Sequence, residues 1–303
     1  MKYLFCVFFG LVVLNNIQAQ NISGQITAVN DEPLPYSNVS ILNKNIGTSA
    51  DSLGVFNFNV SKHLGDTIFV SQLGYQTKKI PVNSLINQTF VKIILLESQS
   101  ILDEVLISNK KKTYTSVKTL GVNRSKIKFR SSVPYGYERC LYIENKEGKK
   151  GKLSWVSFDL KKKKPREGYD MFPTYYRIKF YEFNKAKNIP DKQLSSFDSI
   201  IKPKNKNQKV TINLNETYMP FSNSGICACI EAINPKPNQP KKTMYLTAPN
   251  LVVTYNEQAL TWSSYRGQLW THMTRKMKWK AFGKTSYYYA NPMMKIGVQF
   301  EKQ

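Results

Sequence analysis

The sequence is short of the residues that most site chemistry needs. It holds two histidines, His63 and His272, and only 20 Asp and Glu against 44 Lys and Arg. The histidines lie far apart in the chain, and neither belongs to a His-x-x-Glu pair, so spacing supports no metal-ligand cluster. A Gly-rich nucleotide loop, a Gly-x-Ser-x-Gly elbow and a Cys–His spacing are all missing. No run of useful length repeats apolar residues at the helical period. Outside the N-terminus there is no long hydrophobic run, and even there residues 4–14 are too few to span a bilayer. These lacks argue against a metalloenzyme, a nucleotide-dependent enzyme and a helical membrane protein. No cofactor and no metal are expected. Among enzymes, a glycan-processing one with paired carboxylates stays open, with Glu138, Glu144, Asp159 and Glu182 as candidates.

Cysteine is scarce too: Cys6, Cys140, Cys227 and Cys229. Residues 1–19 read as an export signal, with Lys2 as the positive start, the apolar run 4–14, and Ile17-Gln18-Ala19 as the cleavage site before Gln20. Cys6 begins the apolar run instead of following the cleavage point, so it does not read as a lipid anchor. The mature chain would then keep an odd number of cysteines, at least one of them free. Cys227 and Cys229 share one face of a strand and are poorly placed to bridge each other. They fit small buried hydrophobes, or one of them fits a bridge to Cys140.

What the sequence has is strand-forming material and positive charge. Aromatics make up 13% of the chain, with 18 Tyr and 16 Phe. Residues 22–108 carry 5 Lys and Arg against 7 Asp and Glu, whereas residues 109–303 carry 38 against 13. That break marks a boundary near Asn109. The basic part sets up a field that attracts polyanions: anionic polysaccharide, nucleic acid or lipid phosphate. Lys dominates over Arg, which speaks against specific bidentate phosphate recognition. A solvated lysine surface is the plain alternative. The expected organisation is a signal at 1–19, a β-sandwich at 20–108, a basic linker at 109–124 and a basic β-sandwich at 125–303.

In the first part, residues 22–26, 39–42, 55–60, 67–71, 78–82 and 91–96 read as strands, and residues 45–49 as a loop around Gly47. Asp51-Ser-Leu-Gly54 is a turn, with Asp51 as a backbone-capping residue and Gly54 supplying the conformation. Phe56 and Phe58 then share the core face, and Tyr75 plugs one end. About seven strands at this spacing predict a small sandwich. The runs Gly24-Gln-Ile26, Pro33-Leu-Pro-Tyr-Ser-Asn-Val39, Gly47-Thr-Ser-Ala-Asp51, Leu53-Gly-Val-Phe56, Asp66-Thr-Ile-Phe-Val-Ser-Gln-Leu-Gly-Tyr75 and Leu102-Asp-Glu-Val-Leu-Ile107 resemble carboxypeptidase-regulatory-like domains of exported Bacteroidetes proteins. The resemblance implies a transthyretin-like fold and a periplasmic or outer-membrane-associated location. It carries no peptidase activity, since such domains are accessories beside the enzyme.

In the second part, strands are expected at 152–160, 175–183, 209–214, 225–233, 251–255 and 295–300, with 133–138 as a loop. The nearly continuous apolar run 225–233 reads as a central strand. Eight or so strands joined by polar loops predict a larger, jelly-roll-like sandwich, so the fold class is all-β throughout. Arg177-Ile-Lys-Phe-Tyr-Glu182 with Pro190, and Ser264-Tyr-Arg-Gly-Gln-Leu-Trp270, resemble, more weakly, second modules of uncharacterised Bacteroidetes surface proteins. Trp262, Tyr265, Trp270 and Trp279 cluster in sequence with Arg266, Arg275 and Lys278, a pattern that suits a stacking platform for sugars or bases beside cations. Core packing is the competing account of the same aromatics. The sequence thus predicts a non-enzymatic exported envelope protein whose basic domain contacts an anionic polysaccharide or an envelope protein, nucleic acid being the weaker candidate.

Overall fold

The computed structural model describes residues 20–98, 112–122, 128–194, 199–241, 244–281 and 284–302. The export signal and the Leu102–Ile107 motif lie outside the described residues. Among the described residues, apart from one short 3₁₀ turn, Val82–Ser84, the regular structure is β. Among the described residues no helix is long and apolar enough to cross a membrane.

The first module is a sandwich of two small sheets. One has the order β4 (Val55–Asn59), β1 (Asn21–Thr27), β7 (Val91–Ile94); the other β3 (Gly47–Ser49), β2 (Asn38–Ile41), β5 (Thr67–Ser71), β6 (Lys78–Pro81). β1 runs parallel to β7 and antiparallel to β4. Among the described residues seven strands are present, and the expected loop around Gly47 is in fact the short strand β3. Strict alternation on β4 sends Phe56 and Phe58 inward and Asn57 and Asn59 out. Gly54 takes φ +73, and Asp51 Oδ1 accepts from the backbone N–H of Leu53 (2.8 Å) and Val55 (3.0 Å). The core is self-contained, built from Ile22, Ile26, Val39, Ile41, Phe56, Ile68, Val70 and Ile93, with Tyr75 packed against it.

The second module is a larger two-sheet sandwich. Its seven-stranded sheet has the order β14 (Ile189–Gln193), β13 (Tyr175–Asn184), β18 (Ile226–Ile233), β10 (Tyr137–Ile143), β21 (Thr261–Tyr265), β22 (Thr271–His272), with β15 (Ser199–Ile201) also on β13. Its nine-stranded sheet has the order β23 (Met277–Ala281), β24 (Lys284–Pro292), β20 (Asn250–Asn256), β11 (Gly151–Lys161), β25 (Met294–Phe300), β8 (Lys118–Gly121). There β16 (Gln208–Asn213) and β17 (Pro220–Phe221) also pair with β11, and β9 (Lys128–Ser131) with β20. β12 (Asp170–Pro173) and β19 (Tyr245–Ala248) form a separate parallel pair. The run read as a central strand is β18, between β13 and β10 and buried along its whole length.

Two expectations are corrected, and one strand departs from simple alternation. Residues 112–122 do not behave as linker: β8 pairs with β25, and Tyr114 bridges to Glu301. The stretch read as a loop at 133–138 runs into β10, whose seven residues lie against β18 and β21. On β11, simple alternation puts Leu153 on the face of Trp155, but a bulge between them turns Leu153 into the core with Val156, Phe158 and Leu160.

Candidate functional site

The nominated aromatics do not form an open platform. Trp262 is 2% exposed and Tyr265 8%. The outer face of the seven-stranded sheet holds a compact aromatic cluster with Cys140, Cys227, Cys229, Tyr181, Phe183 and Trp262. Trp262 is stacked on His272 at 4.1 Å, meets Phe183 edge-on at 5.1 Å, and donates from Nε1 to the Asn188 carbonyl. Trp270, half-buried, stands edge-on to Tyr181 at 5.2 Å. Arg275 and Lys278 are exposed and apart from this cluster, and the Trp279 side chain lies outside the described residues. Under the rings, Cys140 and Cys229, directly opposite in register, form a disulfide, while Cys227 stays a buried free thiol. Burial, then Glu138, pushes the Cys227 thiol far up. Glu138 sits close to the two bonded sulfurs, which as a disulfide are not thiolate ligands.

Arg266 is not a surface cation but the centre of the joint between the modules. Its φ is +51, and its guanidinium donates from Nη1 to Asn38 Oδ1 and Ser49 Oγ, both at 2.7 Å, and from Nε to the Tyr265 hydroxyl at 3.1 Å. Ser71 Oγ donates back to its carbonyl at 2.9 Å. A β-carbon on Gly136 would meet the Arg266 guanidinium at 2.7–2.8 Å, so only glycine lets the side chain pass. Gln268 extends the joint: its Oε1 accepts from the Asn43 N–H at 2.6 Å, and its Nε2 donates to Ser40 Oγ at 2.9 Å and the Ile41 carbonyl at 3.1 Å. The first module meets these groups with the outward face of β2, β3 and β5, where Asn38, Ser40, Ser49, Phe69 and Ser71 are all buried.

Beside Arg266 the joint buries a charge cluster. Arg177 and Lys179 project from β13, Glu231 from β18 and Glu138 from β10. Lys179 Nζ lies 3.0 Å from Glu231 and 3.3 Å from Glu138, and Arg177 Nη1 lies 3.6 Å from Glu231. Asn38 of the first module donates to Glu231 at 2.5 Å, and Arg177 Nη2 donates to the Pro35 carbonyl at 3.1 Å. Burial alone would raise the Glu231 carboxyl, but Lys179, Arg177 and the Asn38 hydrogen bond hold it at about 2. Burial raises Glu138, Glu231 adds to that, and Lys179 and Tyr181 only partly offset it. For Lys179 burial is outweighed by the two carboxylates, and its ammonium is held charged.

Of the carboxylates considered for glycan chemistry, Glu138 is sealed in this joint, Glu144 is exposed after β10, Asp159 faces Lys209 across β11 and β16, and Glu182 lies on β13. The structure does not gather the four. It sets Glu138 directly opposite Glu231 instead, with both closed off from solvent. The weaker sequence resemblance, 177–182 and 264–270, falls on the strand and loop that hold the joint. Sequence reasoning missed that role because Arg177, Lys179 and Gln268 look like ordinary solvent-facing residues.

The exposed positive charge is concentrated elsewhere, at the end of β11. Lys161, Lys162 and Lys164 are exposed on one loop and Lys202, Lys204 and Lys206 on another, with Lys209 on β16 beside them. The loops are laced together. The Lys162 N–H donates to Asn207 Oδ1 at 3.0 Å, the Lys163 N–H to Asn205 Oδ1 at 2.9 Å, and Asn205 Nδ2 to the Lys163 carbonyl at 2.9 Å. Arg130 donates to the Lys162 carbonyl at 3.0 Å. Lys209 lies over Trp155 and Lys202 over Tyr175, each within 6 Å of the ring centre. Among the described residues no carboxylate forms an ion pair with these lysines.

Residues 22–107 match the family model of the CarboxypepD_reg-like domain, in agreement with the sandwich seen there. A stretch of 108 residues is 33% identical to the TonB-dependent receptor SusC of Bacteroides thetaiotaomicron. It covers 35% of this chain and 10% of that receptor, so the chain spans only a small part of the relative's length.

Proposed function

We propose that this chain is a non-enzymatic cell-envelope protein whose basic β-sandwich holds an acidic polysaccharide on the paired lysine loops at the end of β11. The carrying observation is that two loops, fixed to each other through Asn205 and Asn207, present a set of exposed lysines with no carboxylate partner among the described residues. Compensated lysines would be inert toward a polyanion; uncompensated ones on a rigid base are not. Lysine point charges suit a polymer with distributed charge better than a single phosphate. The likeness of the first module to part of a TonB-dependent receptor supports the envelope setting. The docked first module then acts as a rigid spacer.

The test uses the full mature chain and an acidic polysaccharide, polygalacturonate, at a series of salt concentrations. Affinity should fall steeply as salt rises, because binding releases counterions. Replacing Lys162, Lys164, Lys204 and Lys206 with Gln should lower low-salt affinity by roughly a hundredfold, whereas Arg275→Gln with Lys278→Gln should change it little. Equal effects of the two sets, or no binding at low salt, would refute the reading.

A further inference from the structure

The opposite end of β11 from the lysine loops carries a second surface of different character. A cleft of about 820 Å³ opens there between β8, the turn after β10 and the end of β20. That volume falls in the range of small-ligand sites, roughly 300–1,000 Å³. Three tyrosines, Tyr142, Tyr255 and Tyr288, line it. Tyr255 is held between Phe129 at 4.7 Å and Tyr288 at 6.5 Å, so its ring is fixed before any ligand arrives. Tyr142 is fixed likewise, stacked on Phe183 at 3.8 Å with its hydroxyl donating to the Ser224 carbonyl at 2.8 Å.

Among the described residues the charge lining the cleft is balanced. Glu144, Glu147 and Glu257 face Lys118, Lys146 and Lys295 on its walls, and Lys118 is ion-paired with Glu147. In a domain with so large an excess of lysine, this local neutrality removes the attraction for polyanions that the other end of β11 displays. Fixed tyrosine rings, carboxylates that accept from hydroxyls and ammonium groups that donate to them suit a neutral polyhydroxylated ring. A lipid tail would leave the carboxylates and ammonium groups dry and unpaired.

From this geometry we propose that the cleft binds a neutral oligosaccharide, at a site separate from and independent of the lysine loops. The test is calorimetric titration of the full mature chain with neutral oligosaccharides of the cello, chito, malto and xylo series. At least one should bind, with an affinity insensitive to salt. Tyr255→Ala and the exposed-site change Glu257→Gln should each weaken it about tenfold, and the lysine-loop variant should bind it unchanged. Glu257→Gln keeps the test valid if Tyr255→Ala unfolds the cleft. The proposal is overturned if none of the series binds, if binding survives both variants, or if it is lost with the lysine loops.

Discussion

Replacing Lys179 with Met would leave two buried carboxylates facing each other without the ammonium between them. Lys179 is 6% exposed, Glu138 1% and Glu231 2%, so water cannot take its place. Unit charges 3 Å apart at an effective dielectric near 20 attract by about 5 kcal/mol, and removing one partner of a buried pair costs about 3–5 kcal/mol. A loss in that range is expected near neutral pH in urea unfolding followed by tryptophan fluorescence. Its pH dependence is the sharper signature. In the parent chain Glu231 is held low, so its contribution is present above the unfolded carboxyl value and fades as pH falls toward about 2. In the variant Glu138, already raised by burial and by Glu231, loses the ammonium that offsets it and rises further, while Arg177 and Asn38 still face Glu231. The folded form then binds more protons than the unfolded chain, and stability rises as pH falls. The gap between variant and parent should therefore narrow on acidification from about pH 8 to about pH 5. A loss under about 1 kcal/mol, or a gap constant with pH, would refute the account of the cluster.

Phe56→Ala should cost about 3–5 kcal/mol, because the ring is 1% exposed in the first-module core; a change within error in urea unfolding would contradict that burial. A fragment of residues 20–108 should unfold in one cooperative β-type transition, since its core is closed by its own strands, and a disordered circular dichroism spectrum would show otherwise. Cys227 should resist iodoacetamide until the chain is unfolded, and Cys140 and Cys229 should be alkylated only after reduction, as read by peptide mass; labelling of Cys227 in the native state would contradict its burial. Asn38→Ala should destabilise the joint by about 1.5–3 kcal/mol, since it removes hydrogen bonds to both charged Glu231 and Arg266, and an unchanged urea midpoint would mean that the joint contributes nothing.

The elements that local pattern dictates were legible in the sequence. Alternation at 55–60, the nearly continuous apolar run at 225–233 and the Asp51–Gly54 turn each follow from period, burial or backbone freedom within a few residues, and the structure has strands or a turn there. Two hydrophobic cores, one within residues 22–95 and one within residues 122–300, share no residue. Period alone says which residues share a face, not what covers that face. Arg177, Lys179 and Glu231 alternate with core residues as solvent-facing groups do, yet the face they line is capped by the first module, which turns surface charges into a buried, mutually compensated cluster. The same holds for Trp262 and Arg266. Their spacing with other aromatics and cations describes an open platform as well as a packed one. Only the approach of His272, Phe183 and the first module's Asn38 and Ser49 decides between the two. The choice of Cys229 over Cys227 as the partner of Cys140 is of the same kind. It depends on the register of β10 against β18, a long-range pairing that no local pattern encodes.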